Sequence, residues 1–150
     1  KGMSLRFTAD DESLRPMGRS ATGVIGMKFR SGDELLTMAS VGSGDKANFV
    51  LTATDGGFGK RTNLDEYRTQ GRGGIGVKAA KVDEDSRGGL VGALIVNEKD
   101  EILVITSGGV VMRTPVKEVR ETGRDTLGVR LVNLDQGTHV VSLAKVSDDE

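Results

Sequence analysis

Short β-branched stretches alternate with glycine-rich breaks along this chain. Residues 49–54 and 102–106 are apolar runs, stopped by the pairs Gly56-Gly57 and Gly108-Gly109. Residues 92–96 and 140–144 behave likewise. Runs this brief, rich in Val, Leu and Ile and bounded by turn residues, predict β-strands. Helix signals shrink to single turns. Thr62 with Asp65 predicts a capped turn over 63–67, and Thr114 with Pro115 predicts a second.

The strand pattern repeats. Gly18-Arg19 with Gly23-Val24, Gly71-Arg72 with Gly76-Val77, and Gly123-Arg124 with Gly128-Val129 share one frame, at spacings of 53 and 52 positions. The frame extends to Arg61-Thr62 and Arg113-Thr114 upstream, matched by Arg6-Phe7 in the first copy, and to Ser31-Gly32-Asp33 and Gln136-Gly137-Thr138 downstream. Each unit of about 52 residues predicts four strands, and one such sheet cannot cover both its faces, so neighbours stack. The fold expected is all-β and propeller-like, with four-stranded blades. The blades span residues 1–48 (lacking the opening strand), 49–100 and 101–147, with an acidic tail starting at 148–150. About three blades of a larger domain are expected, because propellers close with about four or more.

Composition narrows the function classes. Charged residues make up 29% and aromatics 3%, so the core must come from aliphatic side chains. Twenty-two glycines against two prolines fit many tight turns. The absence of cysteine excludes disulfides and thiolate metal sites, and no apolar run approaches a membrane span. His139 stands without partner ligands nearby in sequence, and Tyr67 reads as structural. No nucleophile–base pair emerges, so the chain reads as non-catalytic and without cofactor or metal. Net charge is −1, so any affinity for nucleic acid requires charges sorted onto separate faces.

The segment 70–76 concentrates the candidate chemistry. Gly71, Gly73 and Gly76 satisfy G-x-G-x-x-G, but a dinucleotide site needs a helix to open there, and 77–82 alternates like a strand. Gly73 and Gly74 lack β-carbons and let a loop approach a phosphate closely. Gln70 precedes them, and Arg72 supplies a planar cationic fork suited to phosphate oxygens. Lys60, Arg61, Arg68 and Lys78 crowd the same repeat. Arg15, Arg19 and Lys28 lie at similar points in the first repeat, as do Arg113, Arg120, Arg124 and Arg130 in the third. A cation kept at one corner of each blade lays a basic track, suited to double-stranded DNA bound through its backbone. The competing reading makes Arg19, Arg72 and Arg124 blade-to-blade contacts.

These motifs resemble a known family. Gly59-Lys60-Arg61-Thr62, Glu66-Tyr67-Arg68, the 70–76 loop and Gly128-Val129-Arg130-Leu131 are similar to the C-terminal domain of the DNA gyrase A protein. Arg15-Pro16-Met17-Gly18-Arg19 with Gly23-Val24-Ile25-Gly26-Met27 resembles another blade of it. The resemblance implies a six-bladed β-pinwheel that wraps DNA around its rim, as a non-catalytic part of an ATP-dependent type II topoisomerase. It further implies the N-terminal domain of the same polypeptide and the gyrase B protein as partners, no membrane association, and a place in the bacterial cytoplasm at the nucleoid. The family's box, Gln-Arg-Arg-Gly-Gly-Lys-Gly, is only partly kept. Gly71 stands where its first Arg would be and Ile75 where its Lys would be, so 70–76 is a later-blade relative and the true box is expected upstream of Lys1. The homologous domain of topoisomerase IV and a protein-binding propeller without DNA affinity are the alternatives.

Overall fold

The computed structural model describes residues 1–44 and 48–146, so the acidic tail expected at 148–150 lies outside the described residues. Nine strands among those residues form three antiparallel sheets. In the first large sheet, β2 (Phe49–Thr54) and β3 (Phe58–Asn63) form a hairpin, β5 (Leu90–Val96) flanks β2, and β8 (Val129–Arg130) flanks β3. In the second, β6 (Glu101–Thr106) lies between β7 (Val111–Pro115) and β9 (Val140–Val146). The third is the short pair of β1 (Met3–Ser4) and β4 (Val77–Lys78).

The four-stranded sheet is present, but its strands come from two repeats rather than one. The strand after the second and the third glycine-rich loop crosses to the preceding repeat: β4 pairs with β1, and β8 pairs with β3. The crossings are quasi-equivalent, with Met3 opposite Lys78 in one and Phe58 opposite Arg130 in the other. Gly128 opens the second crossing at φ 77°, where a β-carbon would stand 2.6 Å from the Gly59 carbonyl oxygen. A side chain there would hold the incoming strand off its partner. The backbone conformation itself also favours glycine.

The core lies where the two large sheets meet. Leu51, Val96, Ile102, Val104, Val116 and Val140 are buried together, with Phe49, Val119 and Val132. Alternation in β6 places Ile102, Val104 and Thr106 inward, as a strand's period of two requires. Two 3-10 turns follow the hairpins. Asn63, rather than Thr62, caps the first (Leu64–Glu66) by accepting from the Asp65 N–H at 2.9 Å. Thr62 is buried within β3 and unavailable for that role. The second turn, Val116–Glu118, starts after Pro115. The charged loop at 83–87 winds into one helical turn, α1 (Glu84–Arg87), capped by Asp83.

Candidate nucleic-acid interface

The structure divides the expected contact residues into three groups. The first is buried. Lys60 is 1% exposed and donates from Nζ to the carbonyls of Gly123 (2.7 Å) and Arg124 and to Thr126 Oγ1 (3.1 Å). Loss of solvent pushes its ammonium down to about 8, while Glu66 and Asp125 act in the opposite sense. Arg61, 8% exposed, donates from Nε to the Val119 carbonyl and from Nη1 to Glu98, and lies over the Phe49 ring. Both side chains are occupied inside the protein. Neither stands on the exposed surface, where the expected DNA track would run.

The second group clamps successive repeats together. Arg72 donates from Nε to the Ser13 carbonyl (2.8 Å) and from Nη1 to the Ile25 carbonyl (2.6 Å). Arg124 donates from Nη1 to the Lys78 carbonyl (2.7 Å), and Ile25 and Lys78 are matching positions in the repeat. The Arg124 N–H also donates to Glu66 Oε2 at 3.1 Å. The 70–76 loop is likewise engaged. The Gly73 N–H donates to the Gly26 carbonyl, and the Gly74 carbonyl accepts from the Lys28 N–H, both at 2.8 Å. The Gln70 N–H donates to the Arg6 carbonyl at 2.8 Å, while its buried Nε2 finds no partner among the described residues. The Gly73 amide is thus already satisfied by protein rather than open toward an anion.

The third group faces solvent. Arg15, Arg68 and Arg120 are all exposed. They fall four positions before Arg19, Arg72 and Arg124, so they recur in the same frame. Arg19 and Lys28 are exposed in the first repeat. Lys78 is exposed and 3.6 Å from Asp125. Arg113 pairs with Glu101. Arg130 lies 4.6 Å over the Phe58 ring. Sequence reasoning missed Arg87, whose guanidinium also lies 4.6 Å from that ring while its Nη1 donates to the Gly128 carbonyl at 2.8 Å. It missed Glu66 as well, although Glu118 repeats that acid 52 positions later.

Among the described residues no group of three or more potential ligands could hold a metal ion, and no helix is long and apolar enough to cross a membrane. Exposed guanidinium forks that recur from repeat to repeat can bind a periodic polyanion by charge-assisted hydrogen bonds.

Known proteins share this fold. The family described as "DNA gyrase C-terminal domain, beta-propeller" matches residues 1–41, 48–97 and 100–147. The DNA gyrase A protein of Streptomyces coelicolor is 62% identical over 145 residues, covering 97% of this chain and 16% of the relative. Its counterpart from Mycolicibacterium smegmatis is 48% identical, covering 99% and 17%. The chain therefore spans less than a fifth of these curated relatives. A solved DNA gyrase A C-terminal domain superposes with a TM-score of 0.86 at 32% identity, covering 97% of this chain and 47% of that one. The C-terminal domain of DNA topoisomerase IV shares the fold, with a TM-score of 0.82 at 24% identity, covering 97% and 44%.

Proposed function

Since the chain belongs to the DNA gyrase C-terminal domain family of β-propellers, we propose that it binds duplex DNA through phosphates and bends it along the Arg15, Arg68 and Arg120 column. The observation carrying this reading is that these three arginines recur in the repeat frame and are exposed in every copy. Arg19, Lys28, Lys78 and Arg130 supplement the column from the exposed surface. Arg72, Arg113 and Arg124 are engaged with protein and contribute charge at closer quarters. Bending 20–30 base pairs by 40–90° costs on the order of 1–6 kcal/mol, so several such cations must act together. Contacts of this kind fix position on the duplex and carry no sequence information directly.

The parent protein, on this reading, is the gyrase A protein of an ATP-dependent type II topoisomerase in the bacterial cytoplasm. The present segment wraps DNA without catalysing its passage. The remainder of the same polypeptide and the gyrase B protein are its partners. Ligating nicked circular DNA in the presence of the chain tests the bending. A linking-number shift that grows with protein supports wrapping. Retarded DNA with no shift would reduce the function to simple binding.

A further inference from the structure

The repeat frame is broken inside the second repeat. The charged turn α1 has no counterpart in the other two among the described residues, and its last side chain returns to the crossing of β3 and β8. The backbone pins Arg87 there. Its N–H donates to the Asp83 carbonyl at 2.9 Å, and its carbonyl accepts from Thr54 Oγ1 at 2.6 Å. A β-carbon on Gly56 would run into that same carbonyl. The Arg87 Nη1 donates to the Gly128 carbonyl at 2.8 Å, which leaves the guanidinium 4.6 Å from the centroid of the Phe58 ring. Arg130 is the cross-strand partner of Phe58, and from β8 its guanidinium lies at the same 4.6 Å.

Two permanent cations therefore share one ring, no further apart than twice that distance. Like charges so close repel unless an anion stands between them. Among the described residues neither guanidinium has a carboxylate within ion-pair reach. Asp83 is committed to the Ser86 N–H and hydroxyl, and Glu84 and Asp85 are exposed without an ion pair. The Arg130 side chain makes no hydrogen bond to the described protein, and that of Arg87 gives one donor to Gly128. Attraction to the π-system holds both forks against the ring, so their remaining donors are fixed in space before a ligand arrives. The matching positions lack these parts. Met3 and Val110 stand where Phe58 would be, and Lys78, in the place of Arg130, has Asp125 at 3.6 Å.

We propose that Arg87 and Arg130, ordered by Phe58, form a phosphate anchor that holds the duplex backbone at the junction of the second and third repeats. This rests on the reading of the chain as a DNA-binding domain, and adds to the repeated arginine column one contact that is not repeated. A phosphate group fits because its oxygens can accept from two planar forks at once. Its negative charge also relieves the repulsion between them. A free arginine gives up rotamer freedom when it binds, whereas a stacked one has already done so. Phe58 is thus a positioning residue, acting on phosphate only through the two guanidiniums.

Fluorescence anisotropy of a labelled duplex of about 40 base pairs, titrated with the 150-residue chain across a salt series, tests the anchor. Arg130→Gln is expected to lower the salt slope by roughly 1, and Arg87→Gln combined with Arg130→Gln by roughly 2. Phe58→Leu is expected to weaken binding about two- to fivefold, and Phe58→Tyr, which keeps the ring, to restore it. Added to the double arginine variant, Phe58→Leu should have no further effect, whereas a ring that only packs would cost the same in both backgrounds. A wild-type slope in Arg130→Gln, or in the double variant while circular dichroism shows it folded, would overturn the proposal. So would a Phe58→Leu loss that persists in the double variant. Arg68→Ala in the same series separates the two levels. A lower slope for Arg68→Ala beside a silent Arg87 and Arg130 pair removes the anchor alone, and a wild type whose binding ignores salt removes the phosphate reading with it.

Discussion

Lys60 donates from Nζ to the Gly123 carbonyl at 2.7 Å, tying the hairpin of the second repeat to the loop of the third. The same ammonium bonds the Arg124 carbonyl, whose own side chain reaches back to Lys78. The junction between these repeats is therefore held by reciprocal cation–carbonyl bonds beneath the crossing of β8. Replacing Lys60 by Met keeps much of the volume, takes the lysine donor from the Arg124 carbonyl, and leaves the Gly123 carbonyl with Thr126 Oγ1 as its donor. The loss is expected to be about 1–3 kcal/mol for the acceptor left without its donor. Urea unfolding measures it, and an unchanged midpoint would mean that the lysine is dispensable to the junction.

The same lysine gives the protein a pH signature. Burial lowers its folded-state value from 10.5 to about 8. Below 8 the amine is charged in both the folded and the unfolded chain. Between about 8 and 10.5 the unfolded chain binds a proton that the folded one lacks, so this group's contribution to stability rises with pH across that window. The stability gap between wild type and Lys60→Met should therefore widen from about pH 7 to about pH 10. A gap that stays flat would place the Lys60 titration at its ordinary value.

Gly128 is the second structural test. Alanine there must adopt φ near 77° and meet the Gly59 carbonyl oxygen at 2.6 Å. Backbone strain alone costs about 1–3 kcal/mol, and the close approach adds to it. Gly71→Ala, with nothing within 4 Å and no positive φ, should leave the melting temperature nearly unchanged. Equal melting of the two variants would contradict the role given to the crossing.

The sequence carried the strands plainly, because Gly-Gly breaks and β-branched runs recur at fixed spacing. It did not carry the exchange of strands between repeats. A period records that a strand exists, and the partner sheet depends on where the preceding loop leads. Lys60 escaped for a related reason. Residues 58–63 are mostly polar and carry no apolar signal of burial, yet β8 and the loop before it cover them. Arg72 and Arg124 stood open between two roles, since one guanidinium fork suits a phosphate or a carbonyl equally. The neighbouring repeat adds what the sequence could not, placing the Ile25 and Lys78 carbonyls within reach of these forks.

The division of the arginines into an exposed column and an inter-repeat clamp is tested most directly by DNA affinity across a salt series. The duplex would be about 40 base pairs long, enough for several phosphate contacts at once. Arg68→Ala and Arg120→Ala are each expected to weaken binding at all sequences alike and to lower the salt slope by roughly 1, with melting unchanged. Arg124→Ala is expected to lower the melting temperature while leaving the slope of the folded protein close to wild type. The reverse pattern, with Arg124→Ala flattening the slope and Arg68→Ala and Arg120→Ala silent, would contradict the account.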